Sequence, residues 1–144
     1  MGQKKFETRT VVAVALSHLV HDVFGSFLAP LMPLLIAKLG FSLLLAGLLD
    51  IVRKIPALFN PMVGRLADRS DMRWFLIAAP LATAVSMSLM GLAPNYYVLL
   101  FLVVIAGLGS SFFHVPAPVI VSRHSGDRIG RGMSFFMVGG ELAR

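Results

Sequence analysis

The chain has 144 residues, 57% of them hydrophobic and 14% charged, with a formal net charge of +6 and a mean hydropathy of +0.82. Soluble domains are usually nearer a quarter charged, and a chain of this size has too little interior to hide so much apolar surface, so a water-soluble fold is excluded. Cysteine is absent, which rules out disulfides and thiolate metal sites, and the bases lie in small groups between apolar runs, not in the single patch a nucleic acid needs.

In chain order, the first apolar run covers 11–36, the second 41–63, the third 74–92 and the fourth 96–121, and a fifth opens near 132 and reaches Arg144. Each of the four full runs comes close to or exceeds the roughly 20 residues with which a helix crosses about 30 Å of hydrocarbon. In lipid only helices and closed barrels satisfy the backbone, and runs without strict alternation exclude a barrel. The links are short, so neighbouring helices are expected to be antiparallel. The predicted fold class is therefore all-α, a polytopic transmembrane bundle of four full helices and the start of a fifth in one domain, 1–144. Because the fifth run stops early, further C-terminal helices are expected to complete the bundle. Lys4 and Lys5 precede the first run as they would in a signal peptide, but the run is too long and is interrupted by His18, His21 and Asp22.

Orientation follows from the bases. Lys4, Lys5 and Arg9 precede the first run, Arg65, Arg69 and Arg73 follow the second, and Arg123, Arg128 and Arg131 follow the fourth. The alternate links hold only Lys38. This alternation predicts a cytoplasmic N-terminus in a cell membrane, with the links at Arg69 and Arg128 on the same side and Asn95 on the other.

Polar groups inside the runs are costly in lipid and mark the candidate pathway for substrate or protons. His18, His21 and Asp22 share one face of the first helix by their spacings of three and four, and Gly25, Ser26 and Ala29 continue it. Asp50, Arg53 and Lys54 share a face of the second, where Asp50 is within reach of either cation. His114 lies in the fourth run and Glu141 in the fifth, while the third run has no charge and is expected to face lipid on most sides. At about 1.5 Å per residue, His18 and His114 lie roughly 12 and 13 Å from the cytoplasmic side, at one level of the bundle. Prolines at 30, 33, 56, 61, 80, 116 and 118 predict irregular helices, and Gly107, Gly109, Ser110 and Ser111 permit a close helix approach.

The link after the second run reads Gly64-Arg65-Leu66-Ala67-Asp68-Arg69-Ser70-Asp71-Met72-Arg73. It resembles the signature loop of the major facilitator superfamily, G-x-x-x-D-[RK]-x-G-[RK]-[RK], with matches at Gly64, Asp68, Arg69 and Arg73. Asp71 and Met72 depart from that pattern. Ser17-His18 with Asp22, the stretch from Gly107 to His114, and Phe135-Phe136-Met137-Val138-Gly139-Gly140 resemble the fosmidomycin-resistance branch of that superfamily. The branch follows its helix-four histidine with Pro-Glu, where this chain has Val115 and Pro116, and Val103 stands at the position of an arginine found in many proton antiporters. The resemblance implies the N-terminal part of a twelve-helix fold, a helix-ending Gly64 with a conformational latch at Asp68, Arg69 and Arg73, and proton-coupled secondary transport of a small molecule by alternating access. No enzyme activity, cofactor or metal is expected. Two other readings are a small oligomeric channel or accessory subunit, and a membrane-embedded metal enzyme using His18, His21 and His114, whose spacing matches no strong ligand motif.

Overall fold

The computed structural model describes residues 5–71 and 73–143, so Lys4, Met72 and Arg144 lie outside the described residues. Among those described, every regular element is helical. In chain order they are α1 (Thr8–Gly25), α2 (Leu28–Leu39), α3 (Leu43–Lys54), α4 (Asn60–Arg69), α5 (Arg73–Leu89), α6 (Tyr96–His114), α7 (Pro116–His124) and α8 (Ile129–Glu141). Short 3-10 segments cover Ile55–Phe59 and Met90–Leu92. The stretches Thr8–Leu39, Arg73–Leu92 and Tyr96–His124 are each long and apolar enough to cross a membrane. The α3–α4 stretch, which carries Asp50, Arg53 and Lys54, is not among them.

The breaks inside the first, second and fourth runs fall at or a few residues before a proline, for a common reason. Proline has no N–H, so the carbonyl four residues earlier loses its partner. Pro30 releases Ser26 and Pro116 releases Phe112, which is where the first and fourth runs bend. Pro56 and Pro61 release Val52 and Ala57, and between them the chain tightens into a 3-10 turn. Gly40 ends α2 in the left-handed conformation, φ 68°, which glycine adopts without steric cost. Ser42 and Asn95 then start α3 and α6 by accepting hydrogen bonds from Leu45 N–H and Val98 N–H.

The expectation that Gly64 ends a helix is not met. α4 continues through Asp68 to Arg69, because Val63 and Ala67, one turn apart, are buried against Phe112 and Val115 and hold this segment to the bundle. Ser70 stops the helix, its backbone N–H and its hydroxyl both bonding to the Leu66 carbonyl. The third run turns most of its side chains outward, as its lack of charge implies, with Trp74, Ile77, Leu81 and Val85 exposed, and packs one stripe inward. α5 packs along α6 and α1, burying Ala79, Pro80, Thr83, Ser86 and Met87. Small and hydroxyl side chains at helical spacing are what let neighbours approach in a membrane bundle, where lipid contributes no hydrophobic drive between helices.

Two apolar cores result. One joins Leu28, Leu35, Leu49, Met87, Met90, Leu99 and Val103. The other joins Val11, Val14, Ala79, Phe113, Val121 and Phe136. The polar residues of α1 fall in the stretch between Val14 of one core and Leu28 of the other. The outward face holds Leu44, Leu58, Trp74, Tyr97 and Phe101, all exposed, as suits a surface solvated by acyl chains.

Charged groups collect at helix ends. The Glu7 N–H donates to the His124 carbonyl, and Arg131 lies over the Phe6 ring, so the N-terminal segment, the end of α7 and the start of α8 meet. Arg73 and Arg123 share the walls of a pocket of about 250 Å³ there. Lys38 instead donates to the carbonyls of Gly91 and Ala93, 2.7 and 3.1 Å away, where α5 ends.

Candidate functional site: a polar cavity walled by α1, α3, α5 and α6

Helical spacing puts His18, His21 and Asp22 on the side of α1 that faces α6 and α8. Asp22 sits between two imidazoles: Oδ2 is 3.3 Å from Nε2 of His18, one turn earlier on its own helix, and Oδ1 is 3.3 Å from Nε2 of His114 on α6. The His18 and His114 rings are 5.1 Å apart, in keeping with the equal depth read from the sequence. His18 is buried, stacked on Phe136 at 4.0 Å, with Nδ1 2.8 Å from the Phe136 carbonyl oxygen. That oxygen can only accept, so Nδ1 carries a proton and donates. In the neutral ring Nε2 then turns a lone pair towards the Asp22 carboxylate, and the contact is attractive only if a cation or a second proton is shared there.

His21 is 2% exposed. Its ring stacks on Phe113 at 4.9 Å and meets His114 edge-on at 5.0 Å, and its Nδ1 has no hydrogen-bond partner among the described residues. Beside it lies a cavity of about 350 Å³, within the size range of small-ligand pockets. Its walls include His21 and Asp22 from α1, Arg53 from α3, Thr83 from α5, and Ser110, Ser111 and His114 from α6.

Arg53 reaches this cavity without meeting Asp50. Its terminal NH1 group donates to the Gly25 carbonyl at the end of α1, 2.7 Å away, and its buried Nε is unpartnered among the described residues. Asp50 pairs instead with Lys54 at 2.6 Å, one turn on and largely exposed, a geometry worth only a few tenths of a kcal/mol in exposed helices. Asp50 and Glu141 are not among the cavity walls, whereas Lys54 borders them. Glu141 is exposed near the end of α8. Thr83, buried with its hydroxyl unpartnered among the described residues, was missed by the sequence reading. Its signal was present in the small and hydroxyl residues at 79, 83 and 86.

Glycines set the helix distances around the site. A side chain at Gly107 would strike the Arg53 carbonyl oxygen, one at Gly139 would strike the Ala15 backbone, and one at Gly140 would enter the space of the His18 ring. Away from the cavity, Asp68 and Arg69 are exposed at the end of α4. Arg73 turns to Asp71 in its own link, with Nε 3.6 Å from Oδ1. The loop residues and the cavity residues are thus two separate groups.

A family described as the Major Facilitator Superfamily matches residues 14–144. Among curated proteins, the chain is 30% identical over 131 residues to the fosmidomycin resistance protein of Escherichia coli (strain K12), covering 90% of this chain and 32% of that protein. It is 30% identical over 129 residues to the multi-drug resistance efflux pump PmrA of Streptococcus pneumoniae, covering 81% and 32%. An uncharacterised MFS-type transporter of Bacillus subtilis is 21% identical over 131 residues, covering 90% and 32%. The chain thus spans about a third of the length of these relatives. No solved structure matches it significantly.

Proposed function

Because this chain belongs to the major facilitator superfamily, we propose that it works in a secondary transporter that moves a small molecule by alternating access and couples that movement to protons. The observation that carries this reading is the cavity of about 350 Å³ with hydrogen-bonding walls inside an apolar bundle. Polar groups persist at such depth when they line a path or pair with one another. Arg53, Thr83, His21, Ser110 and Ser111 bind and orient the substrate, with Lys54 at the rim. His18, Asp22 and His114 hold the exchanged proton, because the hydrogen-bond pattern around His18 leaves one position between nitrogen and carboxylate to be filled. Asp68, Arg69 and Arg73 belong to the latch that biases one state over the other, while Asp50, paired with the rim residue Lys54, and Glu141 lie outside the cavity walls.

The test is flux in proteoliposomes holding the full-length protein and a pH-sensitive dye, with a compound panel that begins with fosmidomycin. The expected result is counterflow of at least one compound and proton movement that depends on its presence. An ohmic current with neither would overturn the reading in favour of a channel.

The same reading places the protein in a cell membrane with its N-terminus in the cytoplasm, supported by the grouping of Arg73, Arg123 and Arg131 at one end and Lys38 at the other. Cysteine is absent from the chain, so single replacements report cleanly. Arg69→Cys in intact cells is expected to resist an impermeant maleimide and Asn95→Cys to react. The reverse pattern sinks the orientation.

A further inference from the structure

We propose that His18, Asp22 and His114 form a binding site for a divalent transition-metal ion of the zinc class, open on one side to the cavity. Two imidazoles and a carboxylate are a donor set that such ions take, and without thiolates the set does not favour soft monovalent copper. The potential ligand atoms of the three residues all lie within 4.8 Å of one another, and both nitrogen-to-oxygen separations across Asp22 are 3.3 Å. A tetrahedral ion with bonds of about 2.0–2.1 Å holds its ligands roughly 3.3 Å apart, so each imidazole already stands at ligand spacing from one Asp22 oxygen, and an ion completes the set by drawing the two imidazoles closer together.

The surroundings orient these groups for the same purpose. The Phe136 carbonyl takes the Nδ1 proton of His18 and leaves Nε2 as the donor to an ion, which is how a backbone carbonyl commonly orients a metal-binding histidine from behind. Stacking on Phe136 and the close approach of Gly140 hold the ring in place. A second, separate observation points to a bound group. His21 is 2% exposed, has an unpartnered Nδ1 among the described residues, and shares the cavity wall with Asp22 and His114. A water or substrate atom on the open position of a three-ligand ion supplies the kind of partner that nitrogen lacks.

The inference uses the same cluster as the proton reading but does not depend on transport, since binding is measured without flux. The experiment uses the full-length protein, purified in detergent without a histidine tag and titrated with Co²⁺. One equivalent is expected to bind with the visible absorption of low-coordinate cobalt, to be displaced by Zn²⁺ and to be unaffected by Mg²⁺, which prefers oxygen ligands. Asp22→Asn and His114→Gln are each expected to weaken binding by more than the roughly 10–100-fold that loss of a second-shell partner costs. His124→Gln, remote from the cluster, is expected to bind as the parent does. Circular dichroism identifies any variant that has not folded, and two variants on different helices keep the test decisive. The inference is overturned if the folded parent protein takes up no Co²⁺, or if the absorption survives both cluster substitutions. Absence of cobalt binding together with substrate-dependent proton movement would leave the transport reading standing alone.

Discussion

In the full-length protein, Asp22→Asn is expected to abolish accumulation driven by a pH gradient while leaving exchange of substrate between equal pools in place. Asparagine keeps the shape of the side chain but loses its charge and its exchangeable proton. Each Asp22 oxygen lies 3.3 Å from an imidazole nitrogen, and where a proton is shared between them the hydrogen bond to the charged carboxylate contributes about 1.5–3 kcal/mol. A loss of stability of that order is therefore expected beside the functional loss. The rival account makes the cluster a static plug between α1 and α6, for which the amide would lower stability and leave coupling intact. Flux measured at several imposed gradients separates the two. An unchanged dependence on pH in the variant would show the cluster to be structural.

Gly107→Val is expected to disrupt the packing of α3 on α6 and to lower the unfolding temperature of the detergent-solubilised protein. Any Cβ there meets the backbone carbonyl of Arg53 and the Pro56 ring, and neither is the free end of a flexible side chain that can swing aside. Overpacking of this kind costs about 1–3 kcal/mol and is relieved by moving the helices apart. That movement would also shift Arg53 away from Gly25 and reshape the cavity. Gly47→Ala on α3 is the control, because nothing lies within 4 Å of its Cβ position, and replacing an interior helix glycine at an open site tends to stabilise. If the Gly107 variant melts with the parent, the two helices are not held as closely as described.

What the sequence determined by itself was whatever depends on near neighbours along the chain. The length and hydropathy of the runs settle that the chain forms membrane helices, because backbone groups in lipid have no partner but one another. Spacings of three and four likewise put His18, His21 and Asp22 on one face, and the prolines announced irregular helices. Tertiary structure decided the partners. Asp22 meets His114 from another helix, the His18 proton goes to the backbone carbonyl of Phe136, and Arg53 passes over Asp50 for the carbonyl of Gly25. Backbone carbonyls are present at every residue and leave no mark in composition, so no pattern of side chains could have named these two. The same holds for α4, where the motif's glycine lies within a helix because Val63 and Ala67 find Phe112 and Val115 to pack against, and for α5, whose chargeless sequence does not name α1 and α6 as the partners of its buried stripe. Which face of an apolar helix meets protein and which meets lipid is set by the shape of its neighbours, since hydrocarbon is as apolar as leucine and draws no distinction between them.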